Sequence, residues 1–186
     1  MQGPGVPNED NFDLGGWMWA FNDDGMDFAA AGFFGIEHDL VLELKTYEIF
    51  TSYWPLQAAS NPFATTLNAD KKYEASHMLK SLQWNNSAVL QGEVVAAIQT
   101  RKQQPCFDLL IIGSGNLIQT LHNASLIDEY HIWTFPVVLG RGKRLFEQGA
   151  MPCALRLIES RVSKTGALMN TFVPEGELKL GTVGEG

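Results

Sequence analysis

The chain has 186 residues, 45% of them hydrophobic, which suits one domain with a sizeable core. Its 21 acidic residues against 13 basic ones give a formal charge of −8. With no basic cluster to offset that excess, nucleic acid and anionic membranes are set aside as partners, since both would repel the chain. No run reaches the roughly 18 apolar residues of a membrane span. The N-terminal MQGPGVPNED has neither a charged n-region nor an apolar h-region, so the expectation is a soluble, cytoplasmic protein. Cys106 and Cys153 are isolated, which fits a reducing compartment and argues against both a disulfide framework and zinc. His38, His77, His122 and His131 are scattered, with His122 placed on the polar face of its helix, so no metal site is expected.

Residues 1–16 carry Gly3, Pro4, Gly5, Pro7, Gly15 and Gly16 among Asn and Asp, a loop composition. Trp17, Trp19 and Phe21 then alternate with Met18 and Ala20, too aromatic a run to stay in water, and read as core cover or as a ligand lid. A helix follows, capped by Asp23 or Asp24 and ending near Gly35. Residues 39–44 (DLVLEL) read as a buried strand, and residues 45–50 as a short helix closing before Trp54 and Pro55. Asn61-Pro62-Phe63 opens another short helix, residues 72–76 form a strand with His77 beyond it, and residues 88–90 form the next strand. Val94, Val95 and Ile98 mark a helix leading to Pro105. Strands alternating with helices in this way point to a parallel α/β core.

The most informative stretch is FDLLIIGSGNLIQTLHNASLIDE, residues 107–129. Its apolar start reads as a buried parallel strand, and Leu117, Ile118, Leu121 and Ala124 recur at helical spacing beyond Gly113-Ser114-Gly115. Such a junction aims backbone N–H groups and the positive end of a helix dipole at one spot, which suits a phosphate. The same turn also serves where a chain merely needs a positive φ. After Asp128 the pattern changes. Residues 130–139 (YHIWTFPVVL) read as a long strand with a bulge or edge at Pro136, and residues 155–162 and 167–173 as a hairpin turning at Lys164-Thr165-Gly166. The final GELKLGTVGEG lacks periodicity and reads as a loose tail.

The segments LVLELKTYEIF, WNNSAVL, DLLIIGSGNLIQTL and LIDEYHIWTFPVVLGRGKRLFEQG resemble the dihydrofolate reductase-like family. The resemblance is to its branch formed by the reductase domain of riboflavin biosynthesis and related stand-alone bacterial proteins. It runs from about Gly3 to Pro174. Leu126, Ile127, Asp128 and Glu129, then Pro136 through Gly140, Gly142, and Arg144, Leu145 and Phe146, are its most specific part. It implies a three-layer α/β/α domain over residues 1–174, with a mostly parallel central sheet, an antiparallel C-terminal hairpin and a flexible tail at residues 175–186. It also implies NADPH as cofactor, NADH being possible, a small-molecule substrate, and a homodimer.

Carried over by motif, Gly113, Ser114, Gly115, Asn116 and Leu117 match the family's glycine turn at the cofactor diphosphate. Lys45 and Thr46 match its basic and threonine positions near the phosphates, and Ser76 and His77 its position beside the adenosine 2′-phosphate. The family's glycine and arginine are replaced here by Glu43 and Leu44, and a second arginine by His77, which removes fixed donors and charge for a 2′-phosphate. The family's N-terminal apolar strand has no counterpart before Gly3. One interior strand is therefore expected to be missing, with Met1 a start placed too late in the gene. Trp17, Tyr47, Phe50 and Trp54 are the substrate-pocket candidates. Arg141, Lys143 and Arg144 form a solvated basic loop or bind a substrate phosphate. Asp128 and Glu129 are expected to brace a turn, and no catalytic acid is assigned. The implied activity is hydride transfer to a heterocyclic or ribosylaminopyrimidine-type substrate. The alternative is a nucleotide-binding or structural homologue without turnover.

Overall fold

The computed structural model describes residues 3, 11–57, 61–76, 78, 79, 81–105 and 107–181. His77 and Cys106 lie outside the described residues. After a short 3-10 turn at Trp17–Phe21 come α1 (Asp24–Phe34), β1 (Asp39–Leu42), α2 (Leu44–Tyr53), α3 (Pro62–Ala69) and β2 (Lys71–Glu74). Then follow β3 (Ser87–Val89), α4 (Val94–Lys102), β4 (Leu109–Leu110), α5 (Gly115–Asn123), β5 (Tyr130–Thr134), β6 (Ala154–Val162) and β7 (Leu168–Gly176).

Strands β3-β2-β1-β4 make a parallel sheet in that order, while β5-β7-β6 make a separate antiparallel one. Among the described residues no strand joins β4 to β5. β1 is buried along its whole length, as a central strand covered on both faces must be. Its alternating side chains divide the core. Leu40 and Leu42, with Leu110 of β4, pack under Tyr47 of α2, Leu67 of α3 and Trp84. Val41, with Tyr73 and Ala75, packs under Ile98 of α4 and Leu117 and Leu121 of α5. Each such side chain, fully buried, contributes about 1.5–3 kcal/mol. The second sheet has its own core of Met26, Ala167 and Met169, with Trp133 and Phe135 against it. Trp17 and Phe21 stack on Phe135 at 5.1 and 5.8 Å, so the aromatic segment covers this sheet.

Helix ends follow the capping residues. Asp23 accepts from the Met26 amide at 2.9 Å, starting α1, and Gly35 ends it. Asn61 accepts from the amides of Phe63 and Ala64 at 3.0 and 3.3 Å, with Pro62 at the first helical position of α3. Asn61→Ala is expected to cost about 1 kcal/mol in urea unfolding, and Asn61→Asp much less.

Three expectations change. The strand read over residues 107–112 pairs only at Leu109 and Leu110. The strand read over residues 130–139 stops at Thr134. Pro136 lacks the amide a ladder needs, Val137 instead donates to the Phe135 carbonyl at 2.8 Å, and Val138 is 95% exposed. His122 is not on a solvated helix face but half-buried against Tyr130 and Phe146. Its Nε2 lies 2.7 Å from the Met151 carbonyl, which can only accept. Nε2 therefore carries the proton and Nδ1 accepts from the Tyr130 hydroxyl at 2.7 Å.

Candidate functional site

β1 and β4 are neighbours, yet β1 feeds α2 on one face of the sheet and β4 feeds α5 on the other. Helices leaving adjacent parallel strands in opposite directions open a crevice at the carboxyl ends of those strands, the switch point where open α/β sheets take ligands. Both helix N-termini at this crevice lack a side-chain cap, Glu43 preceding α2 and Ser114 preceding α5. Two positive dipole ends thereby face the crevice, where an anion is favoured.

The turn into α5 is held open by backbone conformation. Gly113 has φ 70° and Ser114 φ 60°, two successive left-handed residues. A Cβ on Gly113 would meet nothing within 4 Å, so the space above this turn is vacant. A Cβ on Gly115 would lie 3.4 Å from the Arg144 carbonyl, showing that the basic loop runs directly against the start of α5. The Ser114 hydroxyl is buried with no hydrogen-bond partner, and a ligand oxygen over the turn would supply one. The segment after Arg144 is clamped to α5: Gln119 accepts from the Glu147 amide at 3.0 Å and Asn123 from the Met151 amide at 2.9 Å. Arg141 is ion-paired with Asp13, whose carboxyl it holds below the usual carboxylate range.

Strand order sets the rest of the crevice. The end of β2 with Ser76, the end of β1 with Lys45 and Thr46, and the end of β4 with residues 113–116 stand in a row along one edge. The structure thus brings eight of the nine cofactor candidates together, His77 lying outside the described residues. They contribute differently. Lys45 and Asn116 are exposed, whereas the Leu117 side chain is core, leaving only its backbone for a ligand. The Ser76 hydroxyl accepts from the Met78 amide at 3.2 Å.

The four substrate-pocket candidates divide. Tyr47 is buried, and its hydroxyl accepts from the Trp84 amide at 3.1 Å. Phe50 and Trp54 pack beside it, their rings 6.1 Å apart. Trp17 sits on the other sheet, and its indole donates to the Gly3 carbonyl at 3.3 Å. Sequence reasoning missed Glu74. This fully buried carboxylate at the end of β2 accepts from the Ser76 amide at 2.8 Å and leaves its other oxygen unpartnered. Its only sequence signal is a charge at an inward position of a strand. It missed, too, the approach of the Arg144 backbone to Gly115. Among the described residues no group of His, Cys, Asp or Glu is arranged to hold a metal ion. Nor is any helix among them long and apolar enough to cross a membrane.

An open parallel sheet with a glycine turn at its switch point and a separate antiparallel hairpin sheet defines a dihydrofolate reductase-like α/β protein. Residues 46–169 match the RibD C-terminal domain, and the chain belongs to that family. It is 24% identical over 157 residues to the uncharacterized protein YyaP of Bacillus subtilis, covering 83% of this chain and 82% of that one. Two solved structures share its fold. A protein of Shewanella sp. PV-4 named for riboflavin biosynthesis superposes with a TM-score of 0.65 at 21% identity, over 83% of each chain. The diaminohydroxyphosphoribosylaminopyrimidine deaminase/5-amino-6-(5-phosphoribosylamino)uracil reductase of Thermotoga maritima gives a TM-score of 0.57 at 10% identity, over 87% of this chain and 51% of that one.

Proposed function

We propose that this chain is a pyrimidine reductase-like enzyme that uses NADPH or NADH to reduce a heterocyclic or ribosylaminopyrimidine-type small molecule. The observation that carries this reading is the switch-point crevice, with two uncapped helix N-termini and the vacant space over Gly113 at its mouth. Family membership supplies the class of chemistry. The bound dinucleotide supplies the hydride.

The chain's own residues bind and orient. First-turn amides of α5 and the Ser114 hydroxyl take the diphosphate, and Lys45 adds positive charge from the first turn of α2. Glu43 and Glu74 place carboxylates at the ends of β1 and β2, where a dianionic 2′-phosphate would be least welcome. NADH is therefore bound at least as well as NADPH. No proton donor is assigned.

A calorimetric titration of the folded protein with each cofactor at low salt tests the reading. Micromolar binding of either, with cofactor oxidation followed at 340 nm when candidate aminopyrimidines or pterins are added, supports it. Binding without oxidation by any of them favours a nucleotide-binding homologue that has lost turnover, a reading to which Glu43 and Leu44 lend weight. Absence of binding overturns both.

A further inference from the structure

The carboxylate of Glu74 is fully buried, yet one of its two oxygens lacks a partner. Oε1 accepts from the Ser76 amide at 2.8 Å, and Oε2 has no donor. A buried charged oxygen without a donor carries its full desolvation penalty, so such a group marks a place for a donor from outside the chain. Its position says which donor.

Glu74 is the last residue of β2 and pairs in register with Leu42, the last of β1. By strand alternation it shares a face with Lys72, which lies over Trp84, so its side chain points to the side of the sheet that α2 covers. The bond to Ser76, two residues on, draws the carboxyl group forward past the end of the strand. It therefore stands at the carboxyl edge of the sheet, about 5 Å across from the end of β1 and about 10 Å from the end of β4. A diphosphate held at the N-termini of α5 and α2 lies over β4 and β1. The next group of a nucleotide in that direction is a ribose, joined to the phosphate through one methylene, and it falls on the end of β2.

We propose that Glu74 is the ribose-binding residue of this crevice: Oε2 accepts a hydrogen bond from the 2′-hydroxyl of the cofactor's adenosine ribose and so selects NADH over NADPH. This rests on the reductase reading above and goes beyond it in naming the residue and the hydroxyl. The adenosine half is the one that the Ser76 motif match sets at this strand end. A hydroxyl supplies the missing donor, whereas a 2′-phosphate brings only negatively charged oxygens to a carboxylate. Beyond the strand, the Met78 amide donates to the Ser76 hydroxyl at 3.2 Å, and the Met78 side chain is 73% exposed. Releasing that bond disturbs little packing, opens the chain beyond Ser76 and frees the Ser76 hydroxyl for the same ribose.

Calorimetric titration of the full chain with NADH, NADPH and NADH lacking the adenosine 2′-hydroxyl tests the assignment. Wild-type protein is expected to bind NADH roughly tenfold or more tightly than either of the others, the scale of one hydrogen bond to a charged group. Glu74→Gln keeps an oxygen for the Ser76 amide and replaces Oε2 by an uncharged donor. NADH binding should then weaken about tenfold, its preference over the 2′-deoxy cofactor should fall below about threefold, and NADPH binding should strengthen. A carboxylate that only braced the strand end would change all three affinities together. Circular dichroism confirms that the variant is folded, and the comparison of three ligands on the wild-type protein needs no variant. Wild-type protein that binds NADPH or the 2′-deoxy cofactor as tightly as NADH overturns the role of Glu74 and leaves the reductase reading standing, as does a folded Glu74→Gln protein with unchanged preferences. Wild-type protein that binds none of the three overturns both.

Discussion

Gly113→Val is expected to abolish cofactor binding, raising the dissociation constant for NADPH and NADH by roughly a hundredfold or more, while the protein stays folded. Valine at φ 70° is strained, because the left-handed region brings Cβ against the following carbonyl at a cost of roughly 1–2 kcal/mol. That is a tolerable loss for a domain, and the new side chain meets nothing within 4 Å of its Cβ. What it does fill is the space over the α5 N-terminus. Excluding a phosphate there removes two or more charge-assisted hydrogen bonds of about 1.5–3 kcal/mol each, which sets the hundredfold scale. Gly115→Ala gives a contrast. Its Cβ would crowd the Arg144 carbonyl at 3.4 Å, so the 144–145 backbone must shift while the mouth of the turn stays open. A smaller loss of binding is expected from it, about tenfold. Calorimetry on both variants checks the pair. A Gly113→Val protein that still binds either cofactor with wild-type affinity would remove this turn from the site.

The reach of the sequence follows from which signals are local. The glycine turn and the Asp23 and Asn61 caps are short-range features whose chemistry is complete within a few residues, and each lies where it was read. The crevice was half-legible. Strand–helix junctions at residues 42–46 and 110–117 are visible in the pattern, but that they become neighbours with helices on opposite faces depends on strand order, which no local pattern encodes. The same limit hid the clamp between α5 and residues 144–151, made by Gln119 and Asn123, which read as ordinary polar positions of a helix. Residues 135–139 show the opposite failure. They are apolar enough for a strand, and the missing amide of Pro136 ended pairing where hydrophobicity alone would have continued it. Burial depth was least legible at β2. Residues 72–76 read as a strand, but nothing in their charges tells that Lys72 and Glu74 are wholly buried, Lys72 beside Trp84 and Glu74 at the end of β2.

Lys72 makes that burial measurable. Its ammonium donates to the carbonyls of Asn68 at 2.9 Å and Asp70 at 2.5 Å and lies 4.5 Å from the Trp84 ring centroid. Burial nevertheless pushes its pKa down to about 8 from the ordinary 10.5, with the nearby Asp70 only partly opposing the shift. Asp70 is itself pushed above the usual carboxylate range by burial, so the two do not make a strong ion pair. For a lysine lowered on folding, the unfolded chain holds more protons between pH 8 and 10.5. Stability therefore rises with pH across that window and is flat below it. The gain from pH 7 to 9.5 is about 2 kcal/mol. Tyr130 works in the other direction, its hydroxyl pushed up to about 12 chiefly by burial, but it takes stability away only above pH 10, where an unfolded tyrosine begins to ionise. Of these two groups, only the lysine therefore acts below pH 10. Urea unfolding at pH 7 and 9.5 should show the wild-type protein more stable at the higher pH. Lys72→Met, which keeps the apolar stem over Trp84 and removes the charge, should show no such rise. An equal rise in both proteins would assign it to another group and leave Lys72 carrying its charge at no cost.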